Sequence, residues 1–418
     1  MPAHCGENAR MLNSIVIVGA GQAGYQTAAS LRQDGFAGRI TLVGDEPGLP
    51  YQRPPLSKAY MLGKVELEGL QFRTRKFFDE QAITLLPGRA EAIDRTNRRV
   101  AMADGSFVDY DHLVLALGAH NRQLPVPGMA LDGVFGLRTL ADADRVIARL
   151  GQARDVVVCG AGFIGLEFAA VARALDCKVH VLELADRPMA RAVSAQTAGI
   201  FRQAHEDSGV VFDFGQGLAR IEGEGRAQRV TSTGGRELAA DIVMFGVGVL
   251  PNVHIAEEAG LHIDNGIKVD SSLLSSDPSI SAIGDCASFP SRHADARIRL
   301  ESVQNAADQA RCVAARLAGK AHQPYGALPW FWSDQGPMRL QIAGLSQGFD
   351  TTVPVGDQAA RQFSVLCFRG DTLLAVESIN KPGDHMAARK ILARDAVLAP
   401  RDAAQPGFDL RAFEAATR

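Results

Sequence analysis

Residues 14 to 24 read S-I-V-I-V-G-A-G-Q-A-G. The first five have the β-branched composition of a buried parallel strand. Gly19, Gly21 and Gly24 follow, and Tyr25 to Arg32 continues with amphipathic, helix-forming residues. The next apolar run, R-I-T-L-V-G from Arg39 to Gly44, ends at Asp45. Strand, glycine turn, helix, strand and acid, in that order, spell a dinucleotide site. The first glycine permits the tight turn, the second lets backbone approach a pyrophosphate, and the third lets helix pack on strand. The helix N-terminus offers N–H donors to phosphate. Asp45, 24 residues after Gly21, stands where a carboxylate holds a ribose diol.

One such stretch is a weak signal, but the same grammar returns at D-V-V-V-C-G-A-G-F-I-G-L-E, residues 155 to 167. Here Val156 to Cys159 is the strand, Gly160, Gly162 and Gly165 form the turn, and Val179 to Leu182 is the second strand, closed by Glu183. Two complete copies 141 residues apart imply two dinucleotides, of which a flavin and a nicotinamide are the economical pair. Glu183 accepts hydrogen bonds from a 2′-hydroxyl and repels a 2′-phosphate, which favours NADH over NADPH; Arg187 and Arg191, close behind, soften that preference. Each copy is followed, roughly 90 residues on, by an apolar strand ending in glycine: L-V-L-A-L-G (113 to 118) and I-V-M-F-G-V-G (242 to 248). Gly284 and Asp285 end a further short strand in S-I-S-A-I-G-D-C-A. A helix is expected to open at L-E-S-V-Q-N-A-A-D-Q-A, residues 300 to 310, its N-terminus suited to the negative charge of a reduced flavin.

The rest of the composition narrows the classes. With 46% hydrophobic and 22% charged residues, 418 residues suffice for two or three domains with real cores. Gly is 42 of 418, about a tenth, against a usual roughly 7%. No stretch reaches the about 18 apolar residues of a membrane span. Residues 1 to 10 are polar, lack the apolar core of a secretory signal, and read as an over-extended start or loose tail before Met11. A net charge of −3 gives no reason to expect nucleic acid or an anionic membrane as partner. Six sparse cysteines (Cys5, Cys159, Cys177, Cys286, Cys312 and Cys367) fit a reducing cytoplasm better than a secreted disulfide scaffold. The histidines show no metal-ligand spacing, so no metal site is expected. G-L-S-Q-G (344 to 348) matches a serine-hydrolase pattern, but strand-like F-D-T-T-V-P-V follows it, so a plain β turn is expected.

With these pieces in place the chain closely resembles the flavin-dependent ferredoxin reductases of bacterial oxygenase systems. The matching stretches, in family order from about residue 14 to residue 380, are G-A-G-Q-A-G, I-T-L-V-G-D-E, Y-Q-R-P-P-L-S-K, G-A-G-F-I-G-L-E, G-V-G-V-L-P-N, A-I-G-D-C-A, L-E-S-V-Q-N-A and P-W-F-W-S-D-Q. The resemblance implies an FAD site at Gly19, Gly21, Ala23, Gly24, Asp45, Arg53, Lys58, Ala90, Arg138, Asp285 and Val303. It implies an NADH site at Gly160, Gly162, Phe163, Ile164, Gly165, Glu167, Glu183, Arg191 and Gly246. Lys58 and Glu167 would pair beside the flavin and stabilise charge as hydride arrives, and Trp330 would lie near the isoalloxazine on the electrons' exit route. The partner it implies is a [2Fe–2S] ferredoxin that feeds a haem-thiolate monooxygenase or an aromatic-ring dioxygenase. The alternatives are a direct NADH oxidase or quinone reductase, and an apoptosis-inducing-factor-like flavoprotein with an interaction role, which the near-neutral composition and missing targeting segment weaken.

The cysteines bear on this choice. The same two-dinucleotide fold serves disulfide reductases, which relay electrons through a paired Cys motif, and peroxide reductases, which use a Cys in the early flavin-side segment. Here that segment reads P-Y-Q-R-P-P-L-S-K, and no Cys occurs between Cys5 and Cys159. Electrons are therefore expected to leave the flavin directly, and a flavin converts two-electron hydride delivery into single-electron release. Residues 292 to 325 carry six basic residues (Arg292, Arg297, Arg299, Arg311, Arg316 and Lys320) against three acids, and Arg389 and Lys390 begin a second small cluster. Such charge would steer an acidic ferredoxin, with Arg311 and Arg389 as the preferred test sites.

The expected fold class is α/β: two Rossmann-like, glutathione-reductase-like dinucleotide domains plus a C-terminal α+β domain. The FAD domain would run from about 13 to 120 and resume from 252 to 326, the NADH domain would occupy 121 to 251, and the C-terminal domain 327 to 418. The last would contain strands from Leu340 to Ala343, Thr351 to Val355, Phe363 to Phe368 and Thr372 to Ser378 and a helix from Asp384 to Arg394, with the final 20 residues partly loose.

Overall fold

The computed structural model describes residues 12–321, 323–394 and 396–417; the expected amino-terminal tail, with Cys5, lies outside them. The chain forms two compact units. The first takes in the chain up to Tyr51, then Gln71–Ala119 and Pro251–Ala327; the second comprises Gln52–Leu70, His120–Leu250 and the chain from Leu328 onward. The segment 52–70, read from sequence as part of the first domain, packs with the second unit.

In the first unit five parallel strands stand in the order Ile280–Ala282, His112–Leu115, Ser14–Val18, Arg39–Gly44 and Ile83–Pro87. The central strand is buried at every position, as an all-parallel sheet covered on both faces requires. Helix Gln22–Gln33 follows the glycine turn and buries Ala28 and Leu31 on one face.

In the second unit the same arrangement recurs, with Val134–Gly136, Ile242–Phe245, Asp155–Cys159, Lys178–Glu183 and Val210–Phe214 in order. The glycine-turn strand is again central, its acid-ended neighbour on one side and its glycine-ended neighbour on the other. Only the source of the outer strand differs: it comes late in the chain for one sheet and early for the other. A register match underlines the repetition, because Gly19 N–H donates to Val43 O at 2.9 Å and Gly160 N–H to Leu182 O at 2.8 Å.

The second unit also holds an antiparallel sheet ordered Trp330–Gln335, Met338–Gly344, Thr372–Ile379, Gln362–Arg369 and Thr351–Asp357. Helix Pro382–Ala393 covers it, and Leu366, Phe368, Val376, Ala388 and Ile391 form the core between them. Gly344–Gly348 makes a turn between two strands, as expected for a decoy of the hydrolase motif. Residues 399–417, expected to be partly loose, are not. They form helices Pro400–Ala403 and Leu410–Ala416, and Leu410, 1% exposed, joins the same core. Their alternating small and charged residues hid a short amphipathic pattern.

The glycine turns are tight where packing demands it. Gly19 has φ +109°, and a Cβ there would lie 2.1 Å from Ala116 O; a Cβ on Gly24 would lie 1.8 Å from Gly19 O. Gly21, by contrast, has nothing within 4 Å of the same position. In protein freed of nucleotide, Gly24→Ala is expected to lower stability by about 1–3 kcal/mol through overpacking, whereas Gly21→Ala should stay within about 0.5 kcal/mol of the parent. Urea unfolding of the two variants checks the contrast.

Candidate functional site

Each glycine turn ends at a helix whose first N–H groups have no side-chain partner. Gly21 and Gly162 are the N-caps of Gln22–Gln33 and Phe163–Ala174, and neither supplies a side-chain hydrogen bond. Four other helices are closed by their own caps: Thr139 for Leu140–Leu150, Ser194 for Ala195–Asp207, Ser302 for Val303–Leu317 and Asp409 for Leu410–Ala416. Arg75–Glu80, His254–Glu258, Pro382–Ala393 and Pro400–Ala403 also lack a side-chain cap, so the open donors matter only with the glycine turns beside them. The two glycine starts have room beside them. A Cβ on Gly162 would meet only Gly246 O, at 3.7 Å, and one on Gly21 would meet nothing. Open N–H donors next to a space without side chains fit the pyrophosphates of FAD and NADH.

In the first unit Ala23 is buried in the helix after the turn, and Asp45 is exposed just past its strand end. Ala90 is buried at the start of strand Ala90–Asp94, opposite Met102. Asp285 lies in a single 3-10 turn, Gly284–Cys286, after Ile280–Ala282. The helix expected at Leu300 begins at Val303, because Ser302 takes the N-cap position and its hydroxyl accepts the Asn305 N–H at 3.1 Å. Sequence alone does not single out this capping serine, although it lies inside the quoted L-E-S-V-Q-N-A.

Of the expected FAD residues, Arg53, Lys58 and Arg138 belong to the second unit. Arg53 Nη1 donates to Arg138 O at 2.6 Å. Two prolines fix the 3-10 turn Pro54–Ser57, which lies against helix Phe163–Ala174 and ends at Lys58. That packing delivers Lys58 Nζ to Glu167 Oε1 at 2.9 Å, with the lysine side chain 19% and the glutamate 3% exposed. Ser57 Oγ donates to Glu167 Oε2 at 2.5 Å and Ser333 Oγ to Oε1 at 2.7 Å. Burial pushes the Glu167 carboxyl above its ordinary range, and Lys58 and the two serines pull against it. Neither serine emerges from the sequence, because their role depends on contacts between residues 110 and 166 positions apart.

Glu183 ends its strand with both carboxylate oxygens held by backbone: Oε2 accepts the Ala161 N–H at 2.6 Å and Oε1 the Ala185 N–H at 2.8 Å. Those bonds aim it at the second turn and leave it acceptor-only. Gly246 N–H donates to Cys159 O at 2.8 Å, which brings the glycine-ended strand onto the turn. Gly165 packs on it as Gly24 does in the first copy, with a Cβ position 2.2 Å from Gly160 O. The Phe163 ring lies 4.5 Å from that of Phe331, whereas Ile164 and Arg191 are exposed. Trp330 and Trp332 share one strand face, their rings 5.6 Å apart, and the Arg389 guanidinium sits 4.5 Å over Trp330.

Cys159, Cys177, Cys286, Cys312 and Cys367 are free thiols. Burial pushes Cys159 up to about 12 and Cys286 up to about 11, so neither is a thiolate near neutrality. Among the described residues no group of three or more His, Cys, Asp and Glu is arranged to hold a metal. Among them, too, no helix is long and apolar enough to cross a membrane.

This pair of dinucleotide folds, with its buried lysine–glutamate link, places the molecule among two-nucleotide flavoprotein reductases, and comparison with known proteins agrees. The chain belongs to the pyridine nucleotide-disulphide oxidoreductase family, which matches residues 13–310, and a Reductase C-terminal domain matches residues 330–414. It is 51% identical to rhodocoxin reductase of Rhodococcus erythropolis over 95% of this chain and 93% of that protein. The crystal structure of the ferredoxin reductase for the CYP199A2 system from Rhodopseudomonas palustris superposes with a TM-score of 0.94 at 49% identity, covering 96% of this chain and all of that one. The reductase in the covalent putidaredoxin reductase–putidaredoxin complex gives 0.93 at 38% identity, covering 97% and 99%.

Thiol labelling of the native protein near pH 8 is expected to reach Cys312, which is half-buried, long before Cys159, Cys177, Cys286 or Cys367; mass spectrometry of the labelled peptides reads the order. Replacing Glu183 with Ala should lower the preference for NADH over NADPH by about ten-fold, measured as the ratio of kcat/KM values for the two nucleotides.

Proposed function

We propose that the protein is an NADH-dependent, FAD-containing ferredoxin reductase that passes electrons one at a time to a [2Fe–2S] ferredoxin, which in turn feeds a haem-thiolate monooxygenase or an aromatic-ring dioxygenase. The observation that carries this reading is the buried Lys58–Glu167 pair on a fold whose described cysteines are unpaired. A disulfide reductase needs two neighbouring sulfurs, and Cys159, at a strand end, and Cys286, in a 3-10 turn, are buried thiols held in their protonated form. The relatives agree: one is a rhodocoxin reductase, another serves the CYP199A2 system, and a third was captured with putidaredoxin.

FAD supplies, when bound, the conversion between hydride acceptance and single-electron release. The protein contributes binding and electrostatics. Gly19, Gly21 and Gly24, with the open helix start after them, hold one pyrophosphate, and Gly160, Gly162 and Gly165 hold the other. Asp45 and Glu183 orient the riboses. Ala23, Arg53, Ala90, Arg138, Asp285 and Val303 complete the FAD site; Phe163, Ile164, Arg191 and Gly246 complete that of NADH. Lys58 brings positive charge to the flavin, and Glu167 fixes the ammonium's position while a low-dielectric setting strengthens its effect. Trp330 marks the side from which electrons leave. The domains in this reading are 13–120 with 252–326 for FAD, 121–251 for NADH and 327–418 for the C-terminal part, and the setting is cytoplasmic.

Arg311 and Arg389 steer the ferredoxin. Arg311 is exposed and paired with Asp308 at 2.7 Å, whereas much of the basic segment around it is engaged elsewhere within the first unit. Arg297 donates to Val269 O and Ser288 O, Arg316 to Ser281 Oγ, and Lys320 to Asp34.

Anaerobic rapid mixing with NADH, followed by ferredoxin, quinone or oxygen, tests the function. Fast transfer to a ferredoxin is the expected result, and fast transfer to quinone or oxygen with none to any ferredoxin would overturn it. Arg311→Glu and Arg389→Glu should each slow ferredoxin reduction several-fold at low salt and flatten its salt dependence.

A further inference from the structure

Behind the Lys58–Glu167 pair, the second unit carries a line of buried polar groups that none of the roles above requires. Ser333 is 0%, Gln335 2% and His205 4% exposed. Ser333 and Gln335 lie two residues apart on strand Trp330–Gln335, so both point to the same side of it. His205 lies on helix Ala195–Asp207. His205 Nε2 meets Gln335 Oε1 at 2.9 Å, Gln335 Nε2 donates to Ser333 Oγ at 3.2 Å, and Ser333 Oγ donates to Glu167 Oε1 at 2.7 Å. Gln335 Nε2 also faces Met189 Sδ at 3.5 Å.

The donor and acceptor inventory gives this line a direction. Gln335 presents its carbonyl oxygen to His205, so the imidazole nitrogen must carry the proton. Burial pulls the His205 pKa below its ordinary value, which leaves a neutral ring with one N–H. The Gln335 amide donates to Ser333, and the single hydroxyl proton of Ser333 goes on to Glu167. Every link therefore points a donor toward the carboxylate. With Ser57 and Lys58, Glu167 receives three donors, which an ionised carboxylate accepts and a protonated carboxyl accommodates poorly. The elements packed on the helix of Glu167 also carry Asp155, Cys159, Lys178, His180, Glu183 and Asp334, but among the described residues its polar contacts are those from Ser57, Ser333 and Lys58.

We propose that Ser333, Gln335 and His205 are positioning residues for hydride transfer: a one-way chain of donors that holds the Glu167 carboxylate against Lys58 and biases it toward the anion. The chain enters the reaction through Glu167 and touches neither nucleotide. This rests on the reading of Lys58 and Glu167 as the pair beside the flavin, and the test separates the two.

Holoenzyme variants Ser333→Ala, Gln335→Met, His205→Phe and His205→Gln are compared by two readouts. One is infrared titration of the Glu167 carboxyl, its band assigned by difference from Glu167→Gln. The other is the pH profile of reduction by NADH in anaerobic rapid mixing. Ser333→Ala and Gln335→Met should raise the Glu167 midpoint by on the order of one pH unit and move the profile by the same amount. His205→Phe should shift it in the same direction by less, and His205→Gln, which keeps an N–H donor, should restore it. Where Ser333→Ala fails to fold, Gln335→Glu substitutes, since its carboxylate draws the serine proton away and should raise the midpoint too. Unchanged midpoints in the folded variants would overturn the chain. If Lys58→Met and Glu167→Gln leave NADH reduction unaltered, the flavin-side reading of the pair fails instead, whatever the midpoints do.

Discussion

Two close approaches between a helix and the turn that precedes it set the pattern of this molecule. At Gly24 and again at Gly165 the helix comes so near the first glycine's carbonyl that no side chain fits. That contact fixes the helix axis against the central strand and leaves its first N–H groups facing outward. A polar side chain at the N-cap would satisfy those groups and remove their affinity for phosphate. Glycine there keeps them available, at the cost of only roughly a few tenths of a kcal/mol of capping free energy. In each sheet the turn follows the central strand, where the strand order reverses. The acid-ended and glycine-ended strands then fall beside the turn by topology alone.

A second constraint acts inside the second unit. Burying a carboxylate is costly unless donors replace its water, and breaking a buried pair by removing one partner costs about 3–5 kcal/mol. Glu167 meets this with an ammonium and two hydroxyls, drawn from a 3-10 turn, a helix and a strand of the C-terminal sheet. The same strategy recurs at Glu377, 0% exposed on Thr372–Ile379, which accepts the Ser194 N–H at 2.8 Å and the Ser194 hydroxyl at 2.6 Å. That glutamate thereby caps the start of the helix that carries His205. In both places a buried carboxyl ties the C-terminal sheet to the second dinucleotide fold, so the sheet is joined by polar specificity as well as by apolar packing.

Sequence reading reaches as far as local rules reach. Both dinucleotide turns, their closing strands, the four later strands of the C-terminal sheet and its helix are legible because each depends on residues within one turn or one strand. Lys58 and Glu167 are legible through their motifs, P-P-L-S-K and G-A-G-F-I-G-L-E, though their distance is not. Ser57, Ser333, Gln335, His205 and Glu377 are not legible, since a serine or glutamine acquires a role only when a distant chain segment meets it. The final helices are not legible for a different reason: they are short, Ala-rich and weakly periodic, and tertiary contact through Leu410 decides them. The helix start at Val303 shows the converse, where one serine hydroxyl moved a boundary by three residues.

The basic residues illustrate why a count of charges does not give a field. Arg299 pairs with Glu301 at 2.7 Å and donates to Asp285 O, and Arg316 is drawn into the core beside His112 and Ser281. There Arg316 donates to the Ser281 hydroxyl, which also meets His112 Nε2 at 2.9 Å, and burial holds that histidine near 3 and hence neutral. These guanidiniums are spent on carbonyls, hydroxyls and acids of their own unit, which holds them in place there. Arg389 is differently placed. Its charge lies over the Trp330 ring, and together with burial it holds His385, whose ring meets the edge of Trp330, near 4. Arg389, with Arg339 acting on the same histidine, thus sets positive charge beside a large aromatic surface and keeps the neighbouring imidazole neutral. What a cation contributes depends on the groups that face it, since exposed charges are screened within about a Debye length at physiological salt.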